Sequence, residues 1–542
     1  CPMFDSIAAL GFQVELPPGC ELPLRLWIGC AKGAAAATRL INSLRPAPAG
    51  ESAPEAPAPV APVIGHGRAP GGDYTSFSEE GRVMRVLTPF TPRPFDHTMS
   101  NALGHVTAVT NRGLHASSNG NAQQNRLTPD WADTTSRELP GEAIYLHDPA
   151  DGQWYSPCYE PLRQADARHD VEFRADGTAV FRMNRHSIST ELTVFVPPDE
   201  PLAVYHLRIR NELLHPRRLT VAPYFEMVLA DMPEHSGALR VSESADGRGL
   251  LYENPRNSFR SGPAFVAVTP APSDSLTRRG DFFSPARSNA RPAWVEHGLV
   301  PKAGAHGDSQ SVAAFRIEVE VPANGETEVV VVLGQADTRD EAERLLTLYA
   351  HAEHASSQLA ATRRWWNDFM ARVEVRTADP AFDGYLVWLR YQALAERIWA
   401  RKGFYQASGA FGFRDQLQDS VNLIWADPSL ARRQILLHAA QQFIEGDTVH
   451  WFFLQQDGRT GFASRSHASD NLLWLGWAVG EYVRMTGDAA ILDERVAYLD
   501  AESPLPPLPG GKHGMGFFPL RSQCAESLAD HVLRVFYCFG DH

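Results

Sequence analysis

The densest group of side chains able to do chemistry runs from Gly403 to Asp419, GFYQASGAFGFRDQLQD. Glycines at 403, 409 and 412, with Ser408, predict a loop in which backbone can approach a ligand closely. Arg414, Asp415, Gln418 and Asp419 follow at helical spacing, which sets Asp415, Gln418 and Asp419 on one face. Carboxylates, an amide and a guanidinium beside aromatic rings suit a sugar. Its hydroxyls bond the polar groups, and its apolar face stacks on the rings. The same residues also read as an ordinary helix start, with acidic side chains complementing the dipole and Arg414 in a surface ion pair. Composition alone does not separate the two readings.

A second candidate lies between Glu445 and Trp474. Asp447, His450, Trp451, Arg465, His467, Ser469 and Asp470 are expected in loops that lead into a helix, which Ser469 or Asp470 could simply cap. Leu472, Leu473, Trp474 and Leu475 read as core. His450 and His467 have no neighbours at zinc-motif spacing, so no metal is expected. A third candidate is the stretch 111–133, NRGLHASSNGNAQQNRLTPDWAD, too long and polar for a hairpin turn. It reads either as a functional loop or as a mobile surface loop. No Gly-x-Ser-x-Gly, Walker or GxGxxG pattern stands in a supporting context, so covalent serine catalysis and nucleotide binding have no basis.

These residues need elements to hold them. Short runs rich in Val, Phe, Tyr, Ile and Thr recur at 171–174, 179–184, 187–196, 202–210, 217–229, 312–321 and 328–333. Several alternate with period two, and turn residues such as Asp176-Gly177 and Asn324-Gly325 separate them. This predicts antiparallel strands in a large β-sandwich over about 79–336. Residues 337–378 switch to helical spacing through Ala342, Leu345, Leu346, Tyr349, Leu359, Trp365, Trp366 and Phe369, a helical linker. From 379 onward the reading is helical to the end, in segments 382–401, 414–425, 428–445, 469–486, 488–500 and 521–539.

Composition excludes several classes. The chain has 542 residues, enough for several cores, and its 44% hydrophobic content argues against general disorder. Fifty Lys and Arg against 64 Asp and Glu give a net charge of −14, a poor fit to nucleic-acid binding. Six cysteines without a C-x-x-C pair predict free thiols in a reducing compartment rather than a disulfide scaffold. No apolar run is long enough for a membrane span.

The sequence also repeats itself. Val14–Leu40 and Val319–Leu345 align without gaps, sharing Val14, Glu15, Pro17, Glu21, Gly29, Ala31, Ala37, Arg39 and Leu40 with the second copy. Both follow strand, turn, strand, break and helix, so residues 1–45 are expected to be the tail of a preceding sandwich module. Two common hairpin patterns could coincide in the same way. The Pro/Ala/Gly-rich 46–78 reads as a linker, or less readily as a Pro-rich peptide ligand. Cys1 and the uncapped helical pattern at His542 suggest that the ends are cuts.

Taken together, WYSPCYEPLR, NRLTPDWAD and PGEAIYLHD in the sandwich, with FYQASGAFGFRDQLQDS, FIEGDTVHW, SDNLLWL and TGDAAILDERVAYL after it, resemble glycoside hydrolase family 94. The likeness covers about 75–542 and is nearest to the C-terminal phosphorylase region of cyclic β-1,2-glucan synthases and to β-1,2-oligoglucan phosphorylases. It implies a multidomain β plus α chain: an antiparallel β-super-sandwich, a helical linker and the first half of an (α/α)6 barrel at 379–542. It implies an inverting phosphorylase, a hexosyl transferase on β-glucans, with inorganic phosphate as co-substrate and no cofactor or metal. By position, Arg414 and Asp419 would bind the transferred glucosyl unit, and Asp415 and Gln418 would support the pocket. Arg465, Ser469 and Asp470 would lie near the sugar. The loop carrying Asn119, Asn125, Arg126 and Thr128 would reach the active site, which in the family belongs to a homodimer. Where the family often has a second Asp after Asp470, this chain has Asn471.

One departure matters most. The family's general acid is the Asp of a Gly-Asp-Trp-Asn-Asp motif, and that motif does not occur in this sequence. The later phosphate-binding His and Thr are missing too. The resemblance therefore implies a chain without its catalytic residue and without turnover alone. Two alternatives stand beside it: an inverting glycoside hydrolase or phosphorylase with another acid, such as Glu445 or Asp470, and a non-catalytic glucan-binding or chain-length-controlling module. The implied partners are β-glucan and no nucleic acid. The implied location is the cytoplasm, or the cytoplasmic side of the inner membrane if the chain belongs to a membrane-bound synthase.

Overall fold

Alternation decides the sandwich. In strand Ser311–Val321, Phe315, Ile317, Val319 and Val321 are buried while Glu318 and Glu320 face solvent. The strand pairs antiparallel with Arg217–Glu226, setting Val221 opposite Ile317 and Leu219 opposite Val319. In spatial order across the sheet, Asp274–Arg278, Ser311–Val321, Arg217–Glu226, Glu142–Asp148 and Gln153–Tyr155 form five strands. A ten-stranded sheet, with Ile188–Phe195, Leu202–Asn211 and Glu326–Gln335 near its centre, packs against them. Leu192, Leu207, Ile209, Val329 and Val331 from the large sheet share one core with Ile144, Leu219, Phe225 and Ile317 from the smaller. This is face-to-face sheet packing.

The run Val329–Leu333 does not alternate, because its sheet is covered on both sides. Val330 and Val332 face outward onto Leu345, Leu346 and Tyr349 of helix Arg339–Tyr349. Thr338 caps that helix by accepting from the Glu341 amide, and Glu341 reaches back to the Asp337 amide. A longer helix, Ala352–Ala371, buries Trp366 and Phe369 against Tyr391, Leu394 and Ile398.

The computed structural model describes residues 74–91, 94–129, 141–231, 233–283, 290–298, 310–402, 409–466, 468, 470–500 and 515–540. They fall in one compact unit, Arg68–His542. The expected sandwich tail at 1–45, the first repeat copy and nearly all of the 46–78 segment lie outside the described residues.

After residue 379, helices Pro380–Gln392, Phe413–Asn422, Pro428–Ala439, Leu473–Thr486 and Leu528–Gly540 form the helical domain. Asp379 and Asp427 cap two of these, each followed by proline in the first turn. Phe413, Leu417, Ile435, Leu475, Ala478, Leu528 and Val535 make their common core.

Four local expectations are corrected. The segment 488–500 is not a helix: after a short 3-10 turn, Arg495–Asp500 is a strand paired with Leu520–Ser527. Gly487 ends the preceding helix at φ +72°, and Val496 and Tyr498 then bury at period two. The segment 521–539 accordingly begins as strand and becomes helix at Leu528. His450, Trp451 and Arg465 sit on strands Val449–Leu454 and Thr460–Arg465, not in loops. The polar Gly113–Asn119 is also a strand, paired with His105–Thr110. Its polar side chains can bury because partners await them: Thr107 for Ser117, and Thr128 for the Ser117 amide.

Candidate functional site

Helix Phe413–Asn422 starts directly after strand Phe411–Gly412, which pairs with Val449–Leu454. The Gln416 side chain accepts from the Gly412 amide at 2.5 Å and donates to the Arg397 carbonyl at 3.2 Å, fixing where the helix begins. Arg414, Asp415, Asp419 and Asn422 then line a cavity of about 1230 Å³. Trp425, His450, Trp451 and Phe453 line it too, so aromatic rings and polar side chains share the cavity. Leu389, Gln392, Glu396 and Arg397 close another side.

Two ion pairs order this wall. Arg414 Nη1 meets Asp470 Oδ2 at 2.9 Å, and the Trp474 indole donates to the same oxygen at 3.2 Å. Burial pushes the Asp470 carboxyl up, but the Trp474 and Arg414 hydrogen bonds and the Arg414 charge outweigh it and hold its pKa below the usual range. Asp470 therefore stays ionised and orients Arg414. Arg397 Nε donates to Asp419 Oδ2 at 2.9 Å. Burial still raises the Asp419 pKa, opposed by Arg397 and aided by the Asp415 charge.

The other expected residues fall elsewhere. Gln418 is half-buried on the same helix but does not line the cavity. Arg465 is buried away from it, forked onto Asp447 at 2.6 and 2.5 Å and stacked 3.7 Å from the Phe443 ring. Asn471 donates to Thr448 Oγ1 and to the Val449 carbonyl, both at 2.9 Å. A carboxylate could not make those two bonds, which accounts physically for an amide there. Ser469 and His467, with the loop residues 403–408, lie outside the described residues.

Asn119, Asn125, Arg126 and Thr128 build the sandwich loop rather than the cavity wall. Asn125 donates to the Asn119 carbonyl at 2.8 Å and to Gln335 at 2.7 Å, and accepts from Asn257. Asn119 accepts from Arg260, Arg126 donates to the Ala122 carbonyl, and Thr128 donates to Glu142. The loop they stiffen does reach the site through Gln123. Arg401 clamps it there, donating to the carbonyls of Gly120 at 2.5 Å and Gly409 at 2.9 Å. Desolvation lowers the Arg401 pKa to about 10. At Gly409, with φ +79°, a Cβ would come 2.6 Å from the Ala122 amide, so only glycine fits.

Sequence reading missed Glu396, Arg397 and Trp425. The available signal was a charged pair inside the apolar run ALAERIWA, where helical periodicity offers no reason for charge. Among the described residues, no group of three or more His, Cys, Asp or Glu could hold a metal ion.

Family profiles agree with this geometry. The one described as the glycosyl hydrolase 94 supersandwich domain matches residues 80–352, and the one for the glycosyl hydrolase 94 superfamily catalytic domain matches 365–504. The chain belongs to glycosyl hydrolase family 94. The family 94 fold expected from the sequence, an antiparallel super-sandwich followed by a helical linker and the α/α helical domain, is the one observed. Relatives include the cyclic beta-(1,2)-glucan synthase NdvB of Rhizobium meliloti, 32% identical over 86% of this chain and 16% of its own length. The N,N'-diacetylchitobiose phosphorylase of Vibrio furnissii is 23% identical over 79% of this chain and 57% of its own. The 1,2-beta-oligoglucan phosphorylase of Listeria innocua is 30% identical over 21% of this chain and 11% of its own. The match thus spans little more than half of the diacetylchitobiose phosphorylase and about a sixth of the synthase. Among the described residues, no helix is long and apolar enough to cross a membrane.

Proposed function

We propose that the cavity beneath helix Phe413–Asn422 holds the glucosyl unit of a β-glucan, β-1,2-linked, in an inverting phosphorylase. The observation that carries this reading is the wall itself: Arg414 oriented by Asp470, with Asp415 and Asp419 on the same helix and Trp425 and Trp451 beside them. Hydroxyls would meet the polar groups and the sugar face the rings. The linkage rests on the synthase and oligoglucan phosphorylase among the relatives.

In the complete reaction, an acid protonates the glycosidic oxygen as the C1–O bond breaks. Inorganic phosphate forms the new C1–O bond from the opposite face, giving α-glucose 1-phosphate. This chain would supply the glucosyl-binding wall. The Gly-Asp-Trp-Asn-Asp acid motif is not in the 542 residues. The substitute acids have little support. Asp470 is held ionised by Trp474 and Arg414, and Glu445 is largely exposed and does not line the cavity. A homodimer, or membership of a longer membrane-bound synthase, remains part of the same proposal.

The test is a turnover assay with β-1,2-gluco-oligosaccharides and phosphate. The isolated chain is expected to release no glucose 1-phosphate. A longer polypeptide carrying this region and the acid motif is expected to release α-glucose 1-phosphate only with phosphate present, and free glucose when arsenate replaces phosphate. Robust release of glucose 1-phosphate by the isolated chain would overturn the missing-acid reading, and release of free sugar with neither phosphate nor arsenate present would favour a hydrolase.

A further inference from the structure

Helix Pro380–Gln392 does not stop at Gln392 but continues as a π-helical turn, Ala393–Ala400. Such turns widen the backbone and occur disproportionately at functional sites. The sandwich supports this one. Ser100 Oγ donates to the Ala395 carbonyl at 2.6 Å, and the Tyr391 hydroxyl donates to the Thr98 carbonyl at 3.0 Å. The turn thereby presents Glu396 and Arg397 to the cavity. Arg397 is committed to Asp419. Glu396 makes no ion pair among the described residues, yet it lines the same cavity. Desolvation and the nearby Asp96 carboxylate push its pKa to about 8, against the Gln392 amide and the Arg397 charge. At neutral pH its carboxyl is therefore largely protonated, and a protonated carboxyl can donate a hydrogen bond to a hydroxyl.

We propose that Glu396 contacts the bound glucan directly, donating a hydrogen bond from its carboxyl to a sugar hydroxyl, and so helps to determine which sugar the cavity accepts. This rests on the reading of the cavity as a glucosyl site. The other charged or titratable groups around it are Asp96 from the sandwich, Arg390 and Arg397 from its own helix, Arg414, Asp415 and Asp419 from the facing helix, and His450 from its strand.

The experiment is isothermal titration of the chain with a β-1,2-linked gluco-oligosaccharide at pH 6, 7.5 and 9, with folding checked by circular dichroism. Wild-type affinity is expected to fall between pH 7.5 and 9 as the donor ionises. Glu396→Gln keeps a neutral donor and should bind within about threefold of wild type at pH 6 while losing that fall. Glu396→Ala should bind roughly 2- to 10-fold more weakly at pH 6, the worth of one hydrogen bond. Wild-type binding that Glu396→Ala leaves unchanged, or a pH profile that Glu396→Gln retains, would overturn this inference alone. A folded wild-type chain that binds no oligosaccharide would overturn the glucosyl-site reading and this inference with it.

Discussion

The sandwich interior and the cavity wall both carry charged and polar side chains, but they use them in opposite ways. In the sandwich, polar groups close on one another. Glu142 is fully buried and accepts from Tyr205 and Thr128, each at 2.7 Å. Arg217 is spent on Asp148, Asp151 and the Tyr155 hydroxyl. In the cavity wall, ion pairs orient groups that still border a large open space, as Asp470 orients Arg414 and Arg397 orients Asp419. The difference teaches that burial and pairing alone do not mark a site. A polar group belongs to chemistry when its pairing leaves it facing a cavity, and to architecture when its pairing closes it off.

That contrast can be broken from either side. The largest effect is expected at Arg217→Met, which strands the Asp148 carboxylate without its buried partner. Leaving such a charge uncompensated costs about 3–5 kcal/mol, measurable by urea unfolding, while the folded fraction should keep its glucan affinity. Asp419→Asn should do the reverse. Glucan affinity should fall roughly 10- to 100-fold, the worth of hydrogen bonds to a charged group, with unfolding changed far less. Equal losses of stability in both variants would erase the distinction.

A smaller effect concerns acid. Burial works against the Glu172 charge, but hydrogen bonds and charges from Arg85, Arg174 and Arg182 hold its pKa to about 2, below the ordinary 4.5. Its folded pKa is depressed, so its stabilisation is fully present above about pH 4.5 and is lost as pH falls toward 2. Glu172→Gln should flatten that part of a melting-temperature profile and leave the profile above pH 6 parallel to wild type.

Much of the architecture was legible because periodicity is a direct record of burial. Phe315 to Val321 announces a one-sided strand, and Asp379-Pro380 and Asp427-Pro428 announce helix starts. Arg495–Asp500 was not legible as a strand because Ala489 to Leu492 begins like a helix and only Gly487 marks the break. Arg414, Asp415 and Asp419 could be found because one helix carries them at helical spacing. Trp425 joins them only through the fold, and the one local hint of Glu396 is a charged pair inside an apolar helical run. Asn125 and Thr128 read as part of a loop near the site because a long polar loop suggests function, but sequence could not say what they themselves bond. Their partners are Gln335 and Glu142.

The central claim is that this wall recognises a β-1,2-linked glucosyl unit. Calorimetric titration of the wild-type chain with β-1,2-gluco-oligosaccharides, beside N,N'-diacetylchitobiose, tests it most directly. The account predicts saturable binding of the β-1,2-glucan, weaker binding of diacetylchitobiose, and loss of the glucan signal in Arg414→Ala. Equal binding of both sugars, or glucan binding untouched by Arg414→Ala, would contradict it.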